Sequence, residues 1–226
     1  MTESIEKYFS KSSATDYDEQ RRGIAPIKEA LHLAMLGFLS RLKEDAHLLC
    51  VGAGTGQELL FLARKFPSWQ FTVVEPAADM LDICKSKAKS EGFDSRCTFH
   101  EGYVDSLPKS ARYDGATAIL VSQFIVEKQQ RIEFFADISS RLVSGALVIN
   151  AELASDMSSG ENEQLAGAWL SMHKDAVLNT STEPFGKTVS VLSQGDIQEV
   201  LKLGGLNEPV LFFQTLLIHA WCSGVE

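Results

Sequence analysis

Nowhere in the 226 residues is there a run of about 18 apolar positions, so a membrane-spanning helix is not expected. Basic residues are scarce: 21 lysines and arginines face 30 acids, leaving a net charge of −9. That deficit argues against nucleic acid, whose phosphates need a basic footprint. Cysteine is sparse and unpaired. Cys50, Cys84, Cys97 and Cys222 form no CxxC motif, and most sit in apolar runs, which reads as buried, reduced thiols in a cytoplasmic protein. His32, His47, His100, His173 and His219 lack the pairwise spacing of a metal site. Ser122 and Ser155 have no nucleophile-elbow context. There is no internal repeat, no low-complexity tract, and no leader-like apolar stretch in MTESIEKYFSK.

What is present is the composition of an ordinary globular chain, 45% hydrophobic and 23% charged. Residues 1–23 show no clear period, although Tyr8, Phe9 and Tyr17 stand out. Pro26 then opens a helical stripe through Ile27, Leu31, Met35, Phe38 and Leu42. From residue 46 onward, strands alternate with helices. The spacing predicts strands at 46–51, 69–75, 96–100, 114–121 and 146–152, with helices at 57–66, 77–91 and 128–142. Gly92 fits the cap of the second of these helices. Such alternation implies a parallel sheet with helices on both faces. Residues 153–192 interrupt it, with a helix expected over 161–178. Ser193 and Asp196 start a further helix that ends at Gly204-Gly205. Two closely joined strands within 209–222 must then pair antiparallel. The expected fold is one α/β domain, a doubly wound, mostly parallel seven-stranded sheet ending in an antiparallel hairpin.

The sharpest motif is LLCVGAGTG, in which Gly52, Gly54 and Gly56 occupy the turn from a buried strand into a helix. Glycine lets backbone approach a ligand closely, and the helix start presents unpaired N–H groups. Glu75 closes the second strand, where a carboxylate facing the loop can accept both hydroxyls of a ribose. Together these point to a nucleoside-bearing ligand. The dinucleotide pattern GxGxxG/A would need a small residue at position 57, which is Gln57, and this counts against NAD.

Over residues 46–222 the motif order resembles the class I S-adenosylmethionine-dependent methyltransferases, in their small-molecule branch. By that resemblance the fold is Rossmann-like, and VGAGTG (Gly52, Ala53, Gly54, Thr55, Gly56) is the family's first motif. Glu75 with Pro76 is similar to the acidic ribose clamp, and Met80 to the apolar residue against adenine. Gly102, Tyr103 and Val104 fall in the adenine-reading loop. Val121, Gln123 and Phe124 fall beside the sulfonium, and residues 201–223 are similar to the family's last helix and hairpin. The resemblance implies S-adenosyl-L-methionine as cofactor. Two positions differ from the pattern: Cys50 stands where an acid is usual, and Tyr103 where an aspartate often is. A noncatalytic binding protein of the same fold would rest on those two differences.

Methyl transfer from a sulfonium needs alignment more than a dedicated catalytic group, so no catalytic residue is singled out. No amide-methylating Asn-Pro-Pro-Tyr motif follows the fourth strand. The implied activity is methylation of a small molecule, with a cofactor-modifying synthase as the neighbouring alternative and a nicotinamide oxidoreductase further off. An N-terminal helical cap (1–45) and a lid (153–192) are expected to flank the core (46–152), followed by a final helix and hairpin (193–226). Candidate acceptor-binding residues are Tyr17, Arg21, Gln123, Phe124, Trp169 and His173. For Arg21 and Arg22 a solvated helix start explains the pattern as well; for Trp169 core packing does, and for His173 a structural role. Residues 151–226 hold 10 acids and 3 bases, so the expected lid disfavours a polyanionic acceptor.

Overall fold

A computed structural model describes residues 17–19, 21–110, 112–176, 178 and 181–226. Tyr8, Phe9 and the first part of the expected N-terminal cap lie outside the described residues. The elements are α1 (Ala25–Leu39), β1 (His47–Val51), α2 (Gln57–Lys65), β2 (Gln70–Glu75), α3 (Ala78–Ser90), β3 (Cys97–Glu101), β4 (Tyr113–Ile119), α4 (Lys128–Ser139), β5 (Leu142–Leu153), α5 (Gly160–Asp175), α6 (Gln194–Leu203), β6 (Val210–Thr215) and β7 (Ile218–Gly224). Seven strands form one sheet in the order β3-β2-β1-β4-β5-β7-β6. The first five are parallel. β7 inserts antiparallel beside β5, and β6 pairs with β7 at the edge. The expected fold is therefore observed, including the hairpin.

The two-residue period of the strands divides the core into two layers. From β1, Leu49 and Val51 face one layer with Phe135 and Ile138 of α4 and Ile197, Val200 and Leu201 of α6. Leu48 and Cys50 face the other, packed with α1 (Leu31, Met35, Leu39), α2 (Leu59, Leu62) and α3 (Leu81, Cys84). Burial on both faces explains why the strands read as continuous apolar runs.

Element ends follow local chemistry. Ser193 caps α6, accepting from the Asp196 N–H at 3.1 Å. α3 closes as expected at Gly92, whose left-handed backbone lets Phe93 N–H reach the Ala88 carbonyl at 2.8 Å. Several boundaries differ from the spacing. α4 ends at Ser139 rather than 142, and α5 runs 160–175 rather than 161–178. β5 begins four residues early, with Gly145 at a positive φ carrying the register shift against β4. β4 stops at Ile119 rather than 121, because Leu120 turns left-handed (φ 61°) and its N–H bonds Ala151 O at 2.6 Å. That turn costs on the order of 1–2 kcal/mol for a non-glycine residue, and it carries Val121 to the sheet's carboxyl edge.

Candidate active site

The loop between β1 and α2 lies at the carboxyl edge, where parallel strands leave a crevice. Gly52 N–H bonds Val74 O at 2.8 Å, tying the loop to β2. A Cβ on Gly52 would lie 2.5 Å from a Val121 methyl, whereas one on Gly54 would meet nothing within 4 Å. Both residues have positive φ. Gly52 is thus required by packing against the end of β4, and Gly54 faces open space.

Glu75 bridges this loop to the next. Its Oε2 accepts from Gly54 N–H at 2.8 Å and its Oε1 from Ala77 N–H at 2.9 Å. Burial raises its pKa, and the two backbone donors oppose that shift. Each oxygen retains a second acceptor site, so the carboxylate can take two further hydroxyls.

Two cavities meet at Gly52, Pro76 and Val121. One, of about 140 Å³, is bordered by Gly52, Ala53, Gly54 and Thr55, by Glu75, Pro76 and Met80, and by Val121 and Phe124. The other, of about 230 Å³, is bordered by Gly102, Tyr103, Val104 and Asp105, with Phe134 on the α4 side. Glu75 and Met80 therefore open on the smaller space, and the β3-end loop on the larger. Gly56 borders neither; a Cβ there would strike Cys84 Sγ at 2.5 Å, so its role is packing.

The N-terminal segment closes the smaller cavity. Tyr17 lines it and packs with Ala77 and Met80. Asp18 Oδ1 accepts from Thr55 Oγ1 and Gln57 Nε2, each at 2.8 Å, and its other oxygen is paired with Lys87. Burial pushes the Asp18 pKa up, but these donors outweigh it and hold it below the usual value.

Of the expected acceptor side chains, Tyr17 and Phe124 line the smaller cavity, and Arg21, Gln123, Trp169 and His173 line neither. Gln123 is buried; its Oε1 accepts from Leu153 N–H at 2.9 Å and its carbonyl from Ser190 N–H at 2.8 Å. It lines neither cavity, which corrects its expected place beside the reacting methyl. Trp169 is likewise buried, in a cluster with Leu153, Val191, Leu217 and Ile218. His173 Nδ1 pairs with Trp169 O at 2.8 Å, and burial lowers its pKa ahead of the opposing hydrogen bond. Both serve packing within residues 153–192 rather than the cavity surface. Arg21 stacks on Tyr17, its guanidinium carbon 4.6 Å from the ring centre, behind the cavity wall. Arg22 is exposed and pairs with Glu19, as a solvated helix start would.

Residues that sequence reasoning missed also line the smaller space: Lys28 and His32 of α1, and Gln57 and Glu58 of α2. Burial and Arg21 bring the Lys28 ammonium down to about 8, and burial and Lys28 bring His32 down to about 4. Glu58 accepts from the Thr117 hydroxyl, and burial raises its carboxyl to about 7. Their signal was a polar residue on an apolar stripe. Lys28 and His32 are in register with Met35 and Leu39, as Glu58 is with Leu62.

Beneath the β4 end lies a second polar group, sealed from both cavities. Arg131 Nη1 donates to Glu152 Oε2 at 2.6 Å, both side chains being almost wholly buried. Ser122 Oγ and Asn150 Nδ2 donate to Glu152 Oε1 at 2.9 and 2.7 Å, and Arg131 also reaches the carbonyls of Ile125 and Ser190. Among the described residues no cluster of histidine, cysteine or acid side chains is arranged to hold a metal, and no helix is long and apolar enough to cross a membrane.

Residues 48–145 match the family described as "Methyltransferase domain". No curated protein matches the sequence. Solved structures share the fold. PigF, determined with S-adenosylhomocysteine, has a TM-score of 0.69 and 16% identity, over 96% of this chain and 60% of its own. An O-methyltransferase family 2 protein from Planctomyces limnophilus, in complex with apigenin, has a TM-score of 0.62 and 18% identity, over 88% and 61%. The [4+2]-cyclase SpnF has a TM-score of 0.57 and 20% identity, over 77% and 55%. The chain spans a little over half the length of the first of these matched structures. The chain shares its fold with solved S-adenosylmethionine-dependent methyltransferases, and residues 48–145 are similar to a methyltransferase domain.

Proposed function

We propose that this protein binds S-adenosyl-L-methionine across its two joined cavities and transfers the methyl group to a small molecule. The observation that carries the reading is the meeting of these cavities at Gly52, Pro76 and Val121, inside the segment that matches a methyltransferase domain. Gly54 leaves open space where backbone must lie close to the ligand, and the neighbouring Glu75 has two acceptor sites to spare. Glu75 takes the ribose hydroxyls in this reading. Tyr103, Val104 and Asp105 surround the purine, Met80 packs beside it, and Ala53 and Thr55 border the tail.

When bound, the cofactor supplies a methyl on an electrophilic sulfonium. The chain's part is to align the acceptor and exclude water, an effect worth up to about 7–11 kcal/mol in well-oriented reactions. Val121 and Phe124 form the wall nearest the joining of the cavities, and Tyr17 covers the opening. Ser190 is fastened to Gln123 and Arg131 behind this wall. Of the smaller cavity's lining residues, Lys28 and Glu58 can exchange a proton near neutral pH. The acidic excess of residues 151–226 favours an amine or neutral acceptor over a polyanion.

Calorimetry with S-adenosylhomocysteine, S-adenosylmethionine and NAD tests the reading. Both sulfur nucleosides should bind and NAD should not. E75A should weaken the nucleosides by about 10- to 100-fold, the value of a charged acceptor's hydrogen bonds. Preference for NAD, or equal affinity in E75A, would reject it.

A further inference from the structure

The smaller cavity is lined by two ionisable side chains of opposite type, Lys28 and Glu58, neither in an ion pair among the described residues. Lys28 Nζ has one long hydrogen bond, 3.4 Å to Gln57 Oε1, lies 5.6 Å from the centre of the Tyr17 ring, and has no ion pair among the described residues. Asp18, the acid that acts on it, is already occupied by Lys87, Thr55 and Gln57. His32, one turn further along α1, adds no charge at neutral pH. Glu58, also in the lining, is buried against the Thr117 hydroxyl and the Cys50 thiol, and among the described residues no basic side chain pairs with it. Because Lys28 reaches Gln57, the chain neighbour of Glu58, both charges border the first turn of α2. A buried charge without a partner is costly, and a ligand of complementary charge relieves that cost.

We propose that Lys28 and Glu58 read an α-amino-acid group inside this cavity, Lys28 holding its carboxylate and Glu58 its ammonium. The same chemistry can come from the amino-acid end of the bound sulfur nucleoside or from a free amino-acid acceptor. Only the first source rests on the proposed cofactor; the recognition itself stands on the two side chains. Neither residue belongs to the glycine loop or to the Glu75 bridge, so nucleoside contacts and amino-acid contacts can be separated by substitution.

The experiment measures binding of S-adenosylhomocysteine, 5′-methylthioadenosine and L-methionine to the wild type, K28M, K28R and E58Q, with thermal melts to show that each variant folds. 5′-Methylthioadenosine keeps the nucleoside thioether and lacks the amino-acid end. For the nucleoside source, K28M and E58Q weaken S-adenosylhomocysteine by about 10- to 100-fold and leave 5′-methylthioadenosine within about twofold. K28R restores most of the loss. For the acceptor source, S-adenosylhomocysteine is unaffected, while L-methionine binds the wild type and no longer binds K28M. Equal losses for both nucleosides would overturn the proposal by making Lys28 and Glu58 structural, as would unchanged binding of all three ligands. Wild type that binds L-methionine through Lys28 but neither nucleoside would sink the cofactor reading and leave this one standing. Wild type that binds none of the three would overturn both.

Discussion

The crevice has two sides built by opposite means. Around β1 and β2 the surface is made by backbone: glycines remove side chains, Glu75 gathers two N–H groups, and a cavity remains. Beneath the ends of β4 and β5, side chains fill the space. Arg131, Glu152, Asn150 and Ser122 satisfy one another, and Gln123 is tied to Leu153. The first side is left open for a ligand, while the second is closed on itself and holds Ser190 in place. Polar residues at a strand's carboxyl end are therefore poor guides to a site until their partners are known.

The sharpest way to break this contrast is to unpair the closed side. R131M leaves the Glu152 carboxylate buried without its cation and should cost about 3–5 kcal/mol in urea unfolding. The double variant R131M/E152L, which removes both charges, should recover much of that loss. If R131M costs under about 1 kcal/mol, the pair does not hold this region together.

The open side should show the reverse sensitivity through Glu58. Its folded pKa of about 7 exceeds the ordinary 4.5, so between these values the folded state binds more protons than the unfolded state. Stability from this group is present at low pH and lost as pH rises from about 4.5 through 7. E58Q should thus match the wild type near pH 4 and gain on it by roughly 3 kcal/mol by pH 8, as followed by chemical denaturation. A constant difference across that range would show that Glu58 does not carry a raised pKa.

The smallest effect separates the two glycines. Gly52→Ala places a Cβ 2.5 Å from Val121 and should cost about 1–3 kcal/mol in stability. Gly54→Ala has room and carries only the strain of its positive φ, so its larger effect should be on nucleoside affinity. Equal stability losses would remove the distinction between the packed and the open glycine.

The same contrast explains what could be read in the chain. Backbone-made features announce themselves locally: the glycine loop, the acid closing β2, Gly92 and the Ser193 cap all appear where spacing placed them. Gln123 could not be read, because Leu153, the partner that takes it out of the cavity wall, is distant in sequence. Trp169 and His173 share a helix face as expected, but that face turns into a core formed with Leu217, before β7, and Ile218 at its start. Lys28, Glu58 and Arg131 left a fainter trace, each a charge on an otherwise apolar stripe. Whether such a charge meets a partner, as Arg131 does, or a cavity, as Lys28 does, depends on elements far away in the chain.

The account's central claim is that one nucleoside spans the backbone-made side from Glu75 to Tyr103. A crystal structure of the protein with S-adenosylhomocysteine tests it most directly. The account predicts ribose hydroxyls on Glu75, the purine beside Tyr103 and Val104, and Gln123 still bonded to Leu153. A nucleoside bound away from Glu75, or seated among Gln123, Trp169 and His173, would contradict it.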